Sequence, residues 1–166
     1  ITLKTKLNMN FTIRDAKIED VPSILNLIKE LAYFEKEADA VEVTVSDLEK
    51  DGFGKNPLFK VFVAEIAKEI VGIALFYPRY STWKGPTIHL EDLIVTEQKR
   101  GFKIGSALYK KVIEYGYNKG VKRIEWNVLD WNEPAIEFYE STGAKVLRDW
   151  DTAQIDRVSM KKYLNS

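Results

Sequence analysis

Three apolar runs in the middle of the chain constrain its fold more than any other feature. "KVFVAEI" (Lys60 to Ile66) and "IVGIALFYPRY" (Ile70 to Tyr80) are rich in β-branched and aromatic residues and are separated only by "AKE". That is the pattern of a β-hairpin. Gly85 and Pro86 then break the chain ahead of "TIHLEDLIV" (Thr87 to Val95), a further predicted strand. Strands joined this tightly pair antiparallel, because a parallel pair needs a crossover of about a dozen residues or more.

Helices flank this meander. "FTIRDA" (Phe11 to Ala16) alternates as a strand does, and Val21, Ile24, Leu25, Ile28, Leu31 and Ala32 follow at helical spacing, with Asp20 as a plausible cap and Pro22 in the first turn. "EKEADAVEVT" from Glu35 has loop composition; Thr44 with Asp47 then predicts a capped short helix that stops at "DGFG" (Asp51 to Gly54). Beyond the meander, Ile104, Ala107, Leu108, Val112 and Tyr115 mark a helix ending at Gly120, and "RIEWNVL" (Arg123 to Leu129) a strand. "NEPAIEFYEST" (Asn132 to Thr142) predicts a helix with Pro134 in its first turn and Gly143 past its end, and weaker strands are expected near Val146 and Val158. The fold class is therefore α/β (α+β): a mixed, mostly antiparallel central sheet of six to seven strands with helices on both faces. One domain is expected over residues 9 to 166, with residues 1 to 8 as a leader or remnant.

Composition narrows the partners. The chain has 166 residues, with acidic and basic residues balanced at 25 each, so no net positive field exists to hold nucleic acid or an anionic membrane surface. A small molecule fits better. With no Cys and a single His, His89, no metal site is expected. No apolar run approaches the roughly 20 residues of a membrane helix, and a cytoplasmic location is expected. The chemistry falls to carboxylates, tyrosine, backbone groups or a bound cofactor.

The junction between "LEDLIV" and the next helix reads "TEQKRGFKIGSAL". Glycines there turn the backbone sharply and expose N–H groups at a helix N-terminus, where a phosphate could sit; a plain charged turn explains the same glycines. G-x-x-x-x-G-K-[ST] and G-x-G-x-x-G are both absent, which removes the support for nucleoside triphosphate and dinucleotide binding.

"QKRGFKIGSAL" resembles the pyrophosphate signature [QR]-x-x-G-x-[GA] of the GCN5-related N-acetyltransferases (GNAT). "LIKELAYFE", "DGFGKNP", "YSTWKG", "LEDLIV", "RGFKIGS" and "LDWNEPAIEFYESTGA" resemble, in this order, segments of that family's diamine (spermidine/spermine) and thialysine N-acetyltransferases. The resemblance runs from Phe11 to Ala144. It implies a GNAT fold, acetyl-coenzyme A as cofactor and a small amine as acceptor.

The same resemblance assigns residues. Arg100, Gly101, Phe102, Lys103, Ile104, Gly105 and Ser106 cradle the diphosphate. Lys103 stands where the family has glycine, which the cradle tolerates if this position avoids positive φ. The backbone of Leu93, Ile94 and Val95 contacts the pantetheine arm and polarises the thioester carbonyl. Asn132, Pro134, Ala135 and Tyr139 contact the coenzyme, although helix capping alone accounts for Asn132. Tyr139 is the acid that protonates the leaving sulfur, and Glu91 receives the amine's proton or binds the cationic acceptor. Phe34, Glu35, Trp83 and Asp92 line the acceptor pocket, an aromatic face such as Trp83 holding an ammonium by cation–π attraction. A regular pleat sends the adjacent Glu91 and Asp92 to opposite faces unless a bulge re-aims the chain. Asp92 is then expected on another face as a structural acceptor, and His89, two residues before Glu91, on Glu91's face. The expected activity is acetyl transfer to a primary amine of a polyamine, diamine or lysine-like acceptor by direct attack in a ternary complex. A protein lysine or N-terminal acetyltransferase and a non-catalytic acyl-coenzyme A-binding module are the alternatives. A homodimer is implied by the relatives.

Overall fold

The computed structural model describes residues 10 to 165; the expected leader lies outside the described residues. The described strands are β1 (Thr12–Asp15), β2 (Lys60–Ile66), β3 (Glu69–Ser81), β4 (Gly85–Val95) and β5 (Ile124–Glu125). The helices are α1 (Val21–Phe34), α2 (Val45–Phe53), α3 (Ile104–Asn118), α4 (Glu133–Ser141) and α5 (Arg157–Leu164). The chain divides into two compact units, Ile1–Asn127 and Val128–Ser166.

The first unit holds one sheet in the order β1-β2-β3-β4-β5, antiparallel throughout except for the parallel β4–β5 pair. The β2–β3 turn is closed by Ala67 and Lys68, both at positive φ (48° and 69°), the twist that a two-residue hairpin requires. On one face, Ile24 and Leu27 of α1 bury against Val61, Val63, Ile73, Leu75 and Ile94. On the other, α3 packs: the rings of Phe62, Phe76 and Tyr115 meet at centroid distances of 5.1 to 6.1 Å. Gly72 lets α3 approach, since a Cβ there would lie 3.1 Å from Leu108 Cδ1. Helices on both faces are as the apolar spacing predicts.

Several expectations are corrected. Five strands stand among the described residues rather than six to seven. "RIEWNVL" pairs only at Ile124 and Glu125, opposite Ile88 and His89, because the rest of that run has no ladder to join and strand propensity alone does not hold it. The strands expected near Val146 and Val158 are absent among the described residues. The tail's apolar residues are isolated among charges, and Val158 instead lies in α5, which Asp156 caps by accepting from the Ser159 N–H at 2.7 Å. Asp20 does not cap α1; its carboxylate closes the preceding turn on the Lys17 N–H and pairs with Arg14. Thr44 and Asp47 do form the reciprocal capping box that opens α2. The second unit holds α4, with Ile136 and Tyr139 buried, and the exposed α5.

Candidate active site

The site begins with a fault in the ladder. β3 and β4 pair Leu75 with Asp92 but Phe76 with Leu90, so Glu91 is an extra residue in β4, a β-bulge. The bulge resets the alternation of faces. Ahead of it, His89 pairs with Tyr77, which packs on the α1 side of the sheet; past it, Asp92 and Ile94 pair with Leu75 and Ile73 of the α1-side core. Glu91 turns the same way: the Tyr77 hydroxyl donates to Glu91 Oε2 at 2.7 Å, and His89 Nε2 lies 3.5 Å from that oxygen. Both acids therefore open on the α1 face. The placement of Asp92 on another face, expected from a regular pleat, is overturned, while His89 shares Glu91's face as expected.

Glu35 follows directly on Phe34, the last residue of α1, and completes a cluster of three carboxylates. Burial, reinforced by repulsion from Glu91 and Glu35, pushes the Asp92 carboxyl up to about 7. Glu35 is raised in the same direction, by burial first and then by Glu91. Tyr77 is pushed up to about 12 by burial and by its bond to Glu91, so it stays a donor. The rings of Tyr77 and His89 lie 5.3 Å apart, tilted by 30°. His89 Nδ1 is buried without a hydrogen-bond partner among the described residues, which favours the tautomer carrying its proton on Nε2, towards Glu91. The arrangement draws in a cation and offers it a carboxylate that exchanges protons near neutrality.

Beside the cluster runs an open backbone edge. β5 pairs with β4 no further than His89, leaving the outer edge from Leu90 to Val95 without a strand among the described residues. The Thr96 N–H bonds back to the Val71 carbonyl at 2.9 Å, so by strand alternation the backbone groups of Leu93 and Val95 point to that open edge. Arg100 Nε donates to the Val95 carbonyl at 2.9 Å, and its guanidinium carbon lies 5.3 Å from the Phe34 ring centroid. Arg100 thus ties the end of β4 and the end of α1 to the glycine loop, and the structure places Phe34 under Arg100 rather than apart from it.

The loop itself turns through left-handed conformations at Gly101 (φ 84°) and at Lys103 (φ 65°, ψ 14°), the residue that opens α3. The condition on Lys103, that it avoid positive φ, is not met. It takes the conformation for which glycine is the ordinary residue, at a cost of roughly 1–2 kcal/mol. The N–H groups of Ile104, Gly105 and Ser106 then start α3 with no intrahelical acceptor, at the positive end of the helix dipole. These donors fit a diphosphate.

The remaining candidates lie elsewhere. Trp83 sits at the tip of the β3–β4 hairpin with 80% of its surface exposed; the Ser81 hydroxyl accepts from the Trp83 and Lys84 N–H groups and fixes the turn beneath the ring. In the second unit, Tyr139 is buried on α4 with Phe138 beside it at 5.3 Å between ring centroids. Pro134 and Ala135 form the first turn of α4. The Asn132 side chain makes no cap: its backbone carbonyl, not its side-chain amide, meets the Ala135 and Ile136 N–H groups at 3.1 and 3.0 Å. Capping therefore does not account for that side chain. Sequence reasoning missed Tyr77; its signal was its hairpin register opposite His89, readable only once the turn at Ala67 and Lys68 and the bulge were placed.

A mixed sheet whose β4 edge is open past His89 among the described residues, a glycine loop tied to that edge by Arg100 and an acidic cluster at a bulge suit an acyltransferase class of site. The chain belongs to the Acetyltransferase (GNAT) family, whose sequence profile matches residues 21–144, and it is an enzyme of that family. It is 40% identical over 161 residues to the thialysine N-epsilon-acetyltransferase of Bos taurus, covering 90% of this chain and 95% of that protein. It is 36% identical over 162 residues to the human spermidine/spermine N(1)-acetyltransferase-like protein 1, covering 93% of this chain and 23% of that protein. Among solved structures, an integron cassette protein from the mobile metagenome of V. cholerae shares the fold with a TM-score of 0.77 at 21% identity, covering 95% of this chain and 99% of that one.

Proposed function

We propose that the protein moves acetyl from acetyl-coenzyme A to a primary amine of a small cationic acceptor, a polyamine, a diamine or a lysine-like molecule, by direct attack in a ternary complex. The observation that carries this reading is the bulge at Glu91, which turns Glu91 and Asp92 to the α1 face with Glu35, next to the open edge of β4. The relatives named for thialysine and spermidine/spermine support an amine acceptor.

The loop donors of Gly101 to Ser106, with Arg100, would hold the coenzyme's diphosphate, and the open edge at Leu93 and Val95 its pantetheine arm; the family resemblance assigns further coenzyme contacts to Asn132, Pro134 and Ala135. Bound there, acetyl-coenzyme A supplies an acetyl group activated as a thioester. Glu35 and Glu91 attract the acceptor's ammonium, and Asp92, its carboxyl near 7, takes one proton from the nitrogen before attack. The nitrogen loses a second proton after the C–N bond forms. Tyr139, the acid that the family resemblance assigns, would supply the proton that the leaving thiolate needs, so one proton would be released per turnover. Leu93's outward N–H would stabilise the carbonyl oxygen as charge grows on it.

The two compact units act as one acetyltransferase domain in this reading, because the family profile runs from residue 21 to 144 across their boundary. A cytoplasmic homodimer is part of the proposal; among the described residues no helix is long and apolar enough to cross a membrane. Thiol release measured with acetyl-coenzyme A and a panel of diamines, polyamines, thialysine and a lysine-containing peptide tests it. Turnover with small amines is expected; turnover with the peptide alone would replace the small acceptor by a protein, and thiol release no faster than without acceptor would end the proposal.

A further inference from the structure

The acidic cluster is one end of a longer electrostatic pattern on the same sheet face. Arg79 lies two residues beyond Tyr77 on β3, so the two side chains share the α1 face, and Arg79 pairs with Thr87 on β4. Glu125 of β5 pairs with His89 on the opposite side of β4. Arg79 Nη1 reaches across β4 to Glu125 Oε1 at 2.5 Å, while Arg123 Nε lies 2.8 Å from Glu125 Oε2. Two guanidiniums thus converge on one carboxylate, an excess of one positive charge among the described ion pairs there.

These contacts are close but poorly aligned. Arg123 Nε and Glu125 Oε1 are both buried without a hydrogen-bond partner among the described residues. Each guanidinium carries five N–H donors, far more than Glu125 can satisfy. Both also reach solvent, the Arg79 side chain being 56% and that of Arg123 36% exposed. Along this part of β4 the face is therefore charged at both ends: acids at the bulge, guanidiniums near the start of β4, and the rings of Tyr77 and His89 between them.

We propose that Arg79, with Arg123 beside it, receives the α-carboxylate of the acceptor, so that the preferred acceptor is an α-amino acid with a terminal amine, of the lysine, thialysine or ornithine type, rather than a polyamine. This rests on the acetyl-transfer reading above and deepens it. The spacing agrees. From His89, which adjoins Glu125, to Asp92 is about 7–10 Å along a bulged strand. The terminal nitrogen and carboxyl carbon of an extended lysine-like molecule lie about 7–8 Å apart. Planar, bidentate recognition is what a guanidinium offers a carboxylate. A polyamine would bring its second ammonium to the guanidiniums, a like-charge contact that selects against it.

The test compares three amino acids, lysine, ornithine and thialysine, each with the diamine obtained by removing its carboxyl group. The wild-type enzyme is expected to favour the amino acid in kcat/KM by about tenfold or more. In Arg79→Gln, which leaves Glu125 paired with Arg123, that preference should collapse about ten- to hundredfold, the loss falling on the KM for the amino acid; Arg79→Lys should restore part of it. Arg123→Gln is the second variant and should shift selectivity the same way. Equal losses for amino acid and diamine in both glutamine variants, an unchanged preference, or a wild-type preference for the diamine would overturn the inference while leaving acetyl transfer standing. Absence of turnover with both members of every pair would remove the acetyl-transfer reading itself, and this inference with it.

Discussion

Asp92→Asn separates the electrostatics of the bulge from its packing. The Asp92 carboxyl is held up at about 7 against 3.8 for the free side chain, by burial first and then by Glu91 and Glu35. A raised carboxyl stabilises the fold most when both states are protonated, below pH 4, and that contribution is lost as pH rises towards 7. At pH 5 the unfolded chain already gains about 1–2 kcal/mol by ionising, and at pH 8 the folded state is disfavoured by about 4 kcal/mol. The amide cannot ionise. The Asp92→Asn variant should therefore gain stability relative to wild type as pH rises, by about 3 kcal/mol between pH 5 and pH 8 in the ligand-free protein. Urea unfolding at the two pH values measures this directly. The same variant should lose about 10²- to 10⁴-fold in kcat/KM if Asp92 takes the amine's proton, and the wild-type kcat/KM should climb as pH passes 7 and Asp92 ionises. A stability difference that is the same at both pH values would refute the reasoning, because it would mean that Asp92 does not change ionisation between the folded and unfolded states in this range.

Tyr77→Phe removes the donor to Glu91 Oε2 and should cost about 1 kcal/mol in unfolding free energy and about tenfold in kcat/KM, read by thermal melts and steady-state kinetics. Lys103→Gly relieves the left-handed strain ahead of α3 and should raise stability by about 1 kcal/mol, with coenzyme affinity within about threefold; a loss of stability would show that the Lys103 side chain contributes more than its backbone costs. Tyr139→Phe should lower kcat by about 10²-fold while leaving coenzyme binding intact by calorimetry, as expected of an acid that acts only on the leaving sulfur.

The parts of the fold that were legible in the sequence are those set by local chemistry. The hairpin of β2 and β3, the capping box of Thr44 and Asp47, Pro134 in the first turn of α4 and the helical stripe of α1 follow from residue type and period, although Ala67 and Lys68 close that hairpin at positive φ against their own types. What failed depended on partners distant in sequence. "RIEWNVL" has strand composition, but β4 offers it a ladder only at Ile88 and His89. Asp20 has the residue type of a cap, yet Arg14 and the Lys17 N–H claim its carboxylate. Lys103 at positive φ runs against its residue type, and such local conflicts concentrate at functional sites. Here the strain sits at Lys103, where α3 opens and where the proposed diphosphate would bind.

The bulge at Glu91 shows how much chemistry one residue of register carries. With a regular pleat, Asp92 would stand on the α3 side, apart from Glu35, Glu91 and the hydroxyl of Tyr77. One unpaired residue in β4 reverses the face of everything that follows, so Asp92 joins Glu91 and Glu35 while His89 and Tyr77 stay where the hairpin put them. The shift also fixes which end of the face is negative, because the residues ahead of the bulge remain in register with Arg79 and Glu125. A deletion of Leu90 would remove the bulge while retaining both acids. Asp92 then stays opposite Leu75 while Glu91 takes Leu90's place opposite Phe76 on the α3 side, so the reasoning requires the Asp92 carboxyl, still buried, to move down only as the repulsion from Glu91 is lost, and acetyl transfer to fall, with NMR titration of the carboxyl as the readout. Activity near wild type in that deletion would show that the cluster does not depend on the register at all.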